Sequence, residues 1–339
     1  MPSIHGIYCP NIVPFTAARR IHEGELRRMV DWLIGKGISG LYPNGSTGEF
    51  IRLSHEDRIR VTEIVVSETG GRVPVLAGAS EANIDEVLAA CQRYAEIGCA
   101  AVSLTGPYYF KVSQESIEQY FREIARRSPI DILLYNIPQY SNEISLPVVK
   151  RLALDCPRIV GIKDSSRDFP RLLRTLSLVK PQRPDFAVLT GTEEMLFPSL
   201  LMGADGGTIA SSGVVPEVIL KIYHDFRAGR WDECREIQLK LLDMIEVMFE
   251  AGNFPEGFRA GVALRGFDPG PPRFPVGPSG ETVLAESRRA LACLLASCGF
   301  AEAAHECSRR IPFPCSSQSQ SPNMEAIVQA VLESLREAK

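Results

Sequence analysis

The stretch from Ile130 to Ser166, IDILLYNIPQYSNEISLPVVKRLALDCPRIVGIKDSS, decides the fold. It opens with a short apolar run, Ile130 to Tyr135, bounded by turn residues, and reads as a buried parallel strand. Residues Pro147 to Leu154 then take helical spacing behind a proline suited to a first turn. A second apolar run, Ile159 to Lys163, reads as the next strand. Strand, helix and strand in this order place two parallel strands side by side with a helix on the outer face.

The same alternation extends in both directions, from Ile7 to about Arg227. Buried strands are expected near Ile7 to Val13, Gly40 to Tyr42, Val73 to Ala77, Ala100 to Leu104, Ala187 to Thr190 and Gly207 to Ala210. Amphipathic helices are expected at Glu23 to Lys36, Glu56 to Ser67, Ile84 to Glu96, Gln114 to Arg127, Pro170 to Val179, Met195 to Leu201 and Pro216 to Phe226. Entry signals support them: Ser54 with Asp57 three residues on, Ser113 with Ser116, and Pro216 at a helix start. Eight strands each followed by a helix predict an α/β fold of the (β/α)8 TIM-barrel type over residues 1–228. No G-x-G-x-x-G follows the first strand, which argues against a dinucleotide-binding fold.

Past the barrel, residues 229–299 read as a small helical C-terminal subdomain. It has a long helix from Trp231 to Phe249, a Pro/Gly-rich passage from Gly266 to Gly280 and a further helix from Glu281 to about Ala296. Residues 300–323 include SRRIPFPCSSQSQSPN and read as a flexible linker. In residues 324–339, Met324, Ile327, Val328, Val331, Leu332 and Leu335 fall on one helical stripe.

Composition bounds the function. The 339 residues carry 37 Lys+Arg against 41 Asp+Glu, a formal net charge of −4, with no basic run to neutralise nucleic-acid or membrane phosphates. No apolar stretch reaches the roughly 18 residues of a membrane span, and the start lacks a signal-peptide pattern, so a cytoplasmic location is expected. The nine cysteines are scattered without a C-x-x-C pair, and are expected to be reduced structural thiols.

In such a barrel the active site lies where the strands end. The second strand runs into Asn44-Gly45-Ser46-Thr47-Gly48-Glu49, either a plain turn or an anion nest with the Ser46 and Thr47 hydroxyls at a substrate carboxylate. The fourth runs into Thr105-Gly106-Pro107-Tyr108-Tyr109. The fifth ends in Tyr135-Asn136-Ile137-Pro138, where a tyrosine either packs in the core or relays protons. The sixth ends in Gly161-Ile162-Lys163-Asp164-Ser165-Ser166. A lysine closing an apolar run either snorkels at the rim or is held out of water, where the neutral amine can attack a ketone.

The order G-S-T-G-E, P-Y-Y, Y-N-I-P, G-I-K-D-S and G-A-D-G-G resembles the dihydrodipicolinate synthase and N-acetylneuraminate lyase family, over roughly Ser3 to Ser297. The resemblance implies that Lys163 forms a Schiff base with pyruvate or a related 2-oxo acid, and that Tyr135 relays protons. It implies that Ser46 and Thr47 bind the carboxylate, with Gly48 and Ile209 beside them, and that the Thr47 hydroxyl links the tyrosines. Tyr109 matches a tyrosine inserted across a tight dimer interface, so a homodimer or homotetramer is expected. No metal or organic cofactor is implied, because the imine is itself the electron sink.

Three positions depart from the two best-known members. Tyr140 stands where the synthases hold a substrate carboxylate with arginine, and tyrosine lacks the bidentate fork. Ser165 and the Gly191-Thr192-Glu193-Glu194 segment resemble the sugar-acid lyases, in which Gly191, Glu193 and Glu194 would bind substrate hydroxyls; the two acids also suit a solvated helix start. Ala210 replaces the serine of the sialic-acid enzymes. The expected activity is an aldolase or dehydratase acting on 2-oxo-3-deoxy sugar acids or similar hydroxylated 2-oxo acids, with an aldehyde as the second small molecule. The rivals are 4-hydroxy-tetrahydrodipicolinate synthase chemistry, condensing pyruvate with aspartate semialdehyde, and a non-catalytic 2-oxo-acid-binding regulator. The C-terminal stripe needs a partner. It either folds onto the barrel, joins an oligomer contact, or acts like the peptides that direct enzymes to shell proteins of bacterial microcompartments.

Overall fold

The computed structural model describes residues 4–307; the segment expected as a C-terminal helix, and most of the expected linker, lie outside these residues. Eight parallel strands form one sheet: β1 (Gly6–Cys9), β2 (Gly40–Leu41), β3 (Leu76–Gly78), β4 (Ala101–Thr105), β5 (Ile132–Asn136), β6 (Ile159–Asp164), β7 (Ala187–Thr190) and β8 (Gly206–Thr208). Their order is β2-β1-β8-β7-β6-β5-β4-β3, and a parallel bridge between Leu41 and Val75 joins the two ends. The sheet is therefore closed, the (β/α)8 barrel that the alternation predicts.

Helices α1 (Glu23–Gly35), α2 (His55–Thr69), α3 (Ile84–Ile97), α4 (Gln114–Arg127), α5 (Leu146–Asp155), α6 (Phe169–Val179), α7 (Leu196–Leu201) and α8 (Pro216–Arg227) surround it. The entry signals work locally. Ser54 accepts from the Asp57 N–H and Ser113 from the Ser116 N–H, and prolines occupy the first turns of α5, α6 and α8. One apolar core lies between sheet and helices, and a smaller one, with Tyr8, Tyr42, Leu76, Ala101, Leu133 and Leu189, fills the barrel. Gly40 makes room for this filling, because a Cβ there would lie 2.2 Å from the Tyr8 ring.

Several expectations change. The first strand stops at Cys9 instead of Val13, since Pro10 withholds a ladder donor. Between the long helix α9 (Trp231–Glu250) and α11 (Pro278–Ser297) lies α10 (Glu256–Leu264), which the pattern does not announce because it is buried on nearly every side. Finally, Ala301–Glu306, expected to begin a linker, forms a 3-10 turn with Ala303 buried. That turn brings Cys307 back to Cys293 in a disulfide, Cα atoms 4.7 Å apart. The reduced reading fails for this pair because the contact depends on the fold-back, not on sequence spacing. Cys9, Cys91, Cys99, Cys156 and Cys234 are buried thiols. No helix among the described residues is long and apolar enough to cross a membrane.

Candidate active site

Register and pleat decide which side chains enter the barrel. Tyr135 pairs with Lys163, and Lys163 with Leu189, so these residues share the inner face of β5, β6 and β7. The next residues, Asn136 and Asp164, face outward. There the Arg171 guanidinium of α6 donates to Asp164 at 2.9 Å, the Asn136 amide at 3.3 Å and the Ser166 N–H at 2.8 Å. Arg171 also donates to the Ile144 carbonyl and binds Glu143 at 3.1 Å. The charge of Asp164 is thus met behind the wall.

Lys163 is only 4% exposed. Its Nζ lies 3.9 Å from the Tyr135 ring centroid and 4.5 Å from that of Tyr42, and the two rings meet edge to face. Among the described residues no carboxylate forms an ion pair with it, so the two aromatic faces are its electrostatic company. Tyr42, the last residue before the turn that follows β2, was not singled out in the sequence. Its hydroxyl donates to Ser103 Oγ at 2.5 Å, and burial pushes its phenol well above the usual range.

Above the lysine opens a cavity of about 220 Å³, lined by Ser46, Thr47, Tyr135, Lys163, Ser165 and Gly191 among others. The Ser46 and Tyr135 hydroxyls are 3.3 Å apart. The hydroxyl in reach of Tyr135 is therefore that of Ser46, whereas the link to the tyrosines was expected through Thr47. Gly191 is required by space: a Cβ there would stand 2.0 Å from Ser165 Oγ and 2.9 Å from Lys163 Cε. Ser165 donates to the Gly191 carbonyl at 3.3 Å, which ties the ends of β6 and β7 together beside the amine.

The remaining expected residues divide. Glu193 lines the cavity, but its carboxylate accepts from the Ser211 N–H at 3.0 Å, and burial pushes its carboxyl upward. It organises the loop after β8. Glu194 stands off the wall, 3.8 Å from Arg167, which does line the cavity. Gly48 and Ile209 are buried outside the lining; Gly48 lets the turn approach the Asn11 carbonyl, 3.1 Å from where a Cβ would sit. Tyr109 is 90% exposed and not part of the lining, with Phe110 edge-on at 4.8 Å. Tyr140 does reach the rim. Residues missed in the sequence include Arg167, Thr208, Phe249 and Phe254. Thr208 had a readable signal as the last residue of β8, while the two phenylalanines come from the subdomain and had none. The Thr208 hydroxyl is buried without a hydrogen-bond partner among the described residues. Those residues hold no group of three or more His, Cys, Asp or Glu side chains fit for a metal ion.

Fold and cavity define a barrel lyase built around a buried lysine. The chain belongs to the dihydrodipicolinate synthetase family, whose model matches residues 3–293. It is 33% identical over 290 residues to a 4-hydroxy-tetrahydrodipicolinate synthase of Methanopyrus kandleri, covering 85% of this chain and 95% of that one. Over 245 residues it is 33% identical to YjhH of Escherichia coli, a probable 2-dehydro-3-deoxy-D-pentonate aldolase, covering 72% and 81%. Among solved structures, YagE of E. coli K12 in complex with pyruvate superimposes with a TM-score of 0.81 at 28% identity, covering 86% of this chain and 98% of that one.

Proposed function

We propose that this lyase forms a Schiff base between Lys163 and the keto group of a 2-oxo-3-deoxy sugar acid and releases pyruvate from it. The observation that carries the proposal is the placement of Lys163 Nζ, buried against two tyrosine rings on the cavity floor and without a carboxylate partner among the described residues. The ring faces favour the imine cation once it forms.

Neutral Lys163 adds to C2, water leaves, and a protonated imine results. The C4 hydroxyl then gives up its proton as the C3–C4 bond breaks. The bonding electrons enter the imine as an enamine, and C4 departs as an aldehyde. Protonation at C3 and hydrolysis of the imine release pyruvate. Tyr135, with Ser46 at 3.3 Å, is the proton relay, and Ser46 and Thr47 lie where the C1 carboxylate binds. Retaining the imine while expelling a hydroxide as water would give the dehydratase outcome instead.

Two features favour sugar acids over aspartate semialdehyde. Tyr140 stands at the position where the resemblance to the synthases expects a carboxylate-holding arginine, and the Ser165 hydroxyl and the Thr208 hydroxyl, unpartnered among the described residues, suit a hydroxylated chain. The name of YjhH supports the same class by similarity. The exposed Tyr109 and Phe110, edge to face at 4.8 Å, suit a second copy of the chain that receives Tyr109 in its own site. A purely sensory role would not need Tyr135 and Lys163 in register. The test is a screen for pyruvate release from 2-oxo-3-deoxy sugar acids, with pyruvate plus aspartate semialdehyde as the competing reaction; faster condensation of the latter pair overturns the assignment.

A further inference from the structure

Two left-handed residues frame the Ser46–Thr47 turn: Asn44 at φ +57° and Glu49 at φ +56°. Asparagine tolerates that backbone, whereas glutamate adopts it at a cost and is held there by what surrounds it. At the first end, the Asn44 amide donates to the Arg58 carbonyl and the Thr62 hydroxyl of α2, both at 2.9 Å. At the second, the Glu49 N–H donates back to the Ser46 carbonyl at 3.0 Å, and the side chain is buried. Its Oε2 accepts from Arg52 at 2.6 Å. Its Oε1, which accepts no hydrogen bond from a described residue, lies 3.5 Å from Nη1 of Arg259.

Arg259 is buried on α10, in the helical subdomain, at 2% exposure. Its guanidinium donates to four carbonyls: Val13, in the loop after β1, at 2.9 Å, and Pro269, Gly270 and Pro271, in the Pro/Gly-rich passage, at 2.5, 3.1 and 3.0 Å. Carbonyl dipoles satisfy its donors, but offsetting a buried unit charge takes a carboxylate. Glu256 Oε2 lies 3.5 Å from Nε, on the same helix. Glu49 is the carboxylate that ties this charge to the barrel. Neither Glu49 nor Arg259 lines the cavity above Lys163.

We propose that Arg259 is a positioning residue: through Glu49 it fixes, from the helical subdomain, the turn whose Ser46 and Thr47 receive the substrate's C1 carboxylate. The inference rests on the lyase reading and adds to it a residue outside the cavity that sets carboxylate affinity. The carboxylate is held alike in substrate and transition state. Loss of the peg therefore weakens binding and leaves the chemical step nearly unchanged.

The test measures, for the full chain, the concentration that half-saturates borohydride trapping on Lys163 with pyruvate and with methyl pyruvate, which has the same ketone and no carboxylate charge. Wild type prefers pyruvate. Glu49→Gln keeps the side-chain size and the four carbonyl bonds of Arg259, and so stays informative if Arg259→Met does not fold. It lowers the preference roughly 10- to 100-fold, the range for weakening a charge-assisted hydrogen bond. Arg259→Met does the same and Arg259→Lys recovers part of it. The double variant Glu49→Gln, Arg259→Met loses little more than either alone, because the two residues act as a unit. In steady-state pyruvate release from a 2-oxo-3-deoxy sugar acid, KM rises and kcat holds. A preference unmoved in Glu49→Gln, a fall shared equally by both compounds, or a loss confined to kcat overturns the positioning role. A wild-type adduct without preference for pyruvate overturns the carboxylate-binding turn and this role with it, while no adduct at Lys163 overturns the lyase reading beneath both.

Discussion

Tyr135 and Lys163 are register partners on adjacent parallel strands, and the lysine Nζ lies 3.9 Å from the centre of the tyrosine ring. Pairing of β5 with β6 therefore positions the candidate nucleophile and its proton relay by the same ladder of hydrogen bonds. Tyr135→Phe keeps the ring and removes the hydroxyl. It should lower kcat by roughly 10²- to 10⁴-fold, the usual weight of general acid–base catalysis, while pyruvate still becomes trapped on Lys163. Steady-state kinetics and adduct yield on the same preparation check this; an unchanged kcat contradicts the relay.

Gly191→Ala tests the space around the amine. The added methyl would stand 2.0 Å from Ser165 Oγ and 2.9 Å from Lys163 Cε, so one or both must move. A displacement of about 1 Å at a reacting centre costs on the order of 10²-fold in rate. The fall should appear in kcat/KM with the chain still folded by circular dichroism.

The Asp164–Arg171 pair gives a stability prediction. Arg171→Leu leaves a buried carboxylate without its guanidinium and should destabilise the barrel by about 3–5 kcal/mol. Urea unfolding measures the loss, and the double variant Asp164→Asn, Arg171→Leu, which also removes the stranded charge, should recover part of it.

Glu256 provides a pH test outside the cavity. Burial on α10 pushes its carboxyl up to about 7 from an ordinary value of 4.5, against the pull of Arg259. The unfolded chain loses this proton first, so between pH 4.5 and 7 the folded state binds more protons and this group's contribution to stability falls as pH rises. Glu256→Gln removes the dependence. The stability of wild type relative to Glu256→Gln should be lower at pH 8 than at pH 5, by up to about 3 kcal/mol.

If Tyr109 completes a neighbour's site, a chain lacking it and a chain lacking the lysine should repair each other. Mixing Tyr109→Ala with Lys163→Ala under subunit exchange creates pairs in which one site has both residues. Activity should then rise above that of either variant alone; no rise contradicts a shared site.

Much of this was legible because strand ends carry both the fold and the chemistry. Ile159 to Lys163 marked β6 by its apolar run, and the lysine that closes that run faces the cavity because the side-chain period of a strand is fixed. Ser46 and Thr47 followed from the same logic, while Ser165 and Gly191 came from the resemblance to the sugar-acid lyases. Arg167, Phe249 and Phe254 did not, since their places depend on a left-handed turn and on how the helical subdomain covers the barrel mouth. Helix α10 escaped because a helix buried all round has no polar stripe to betray its period. The Cys293–Cys307 bridge escaped because closure depends on a turn after α11.

The central claim is the imine at Lys163. The direct measurement is borohydride reduction of the full chain with pyruvate, followed by peptide mass spectrometry, with Lys163→Ala alongside. The account predicts a single reduced pyruvate adduct on the peptide containing Lys163, abolished in Lys163→Ala. An adduct on another lysine, or none with any 2-oxo acid, would contradict it.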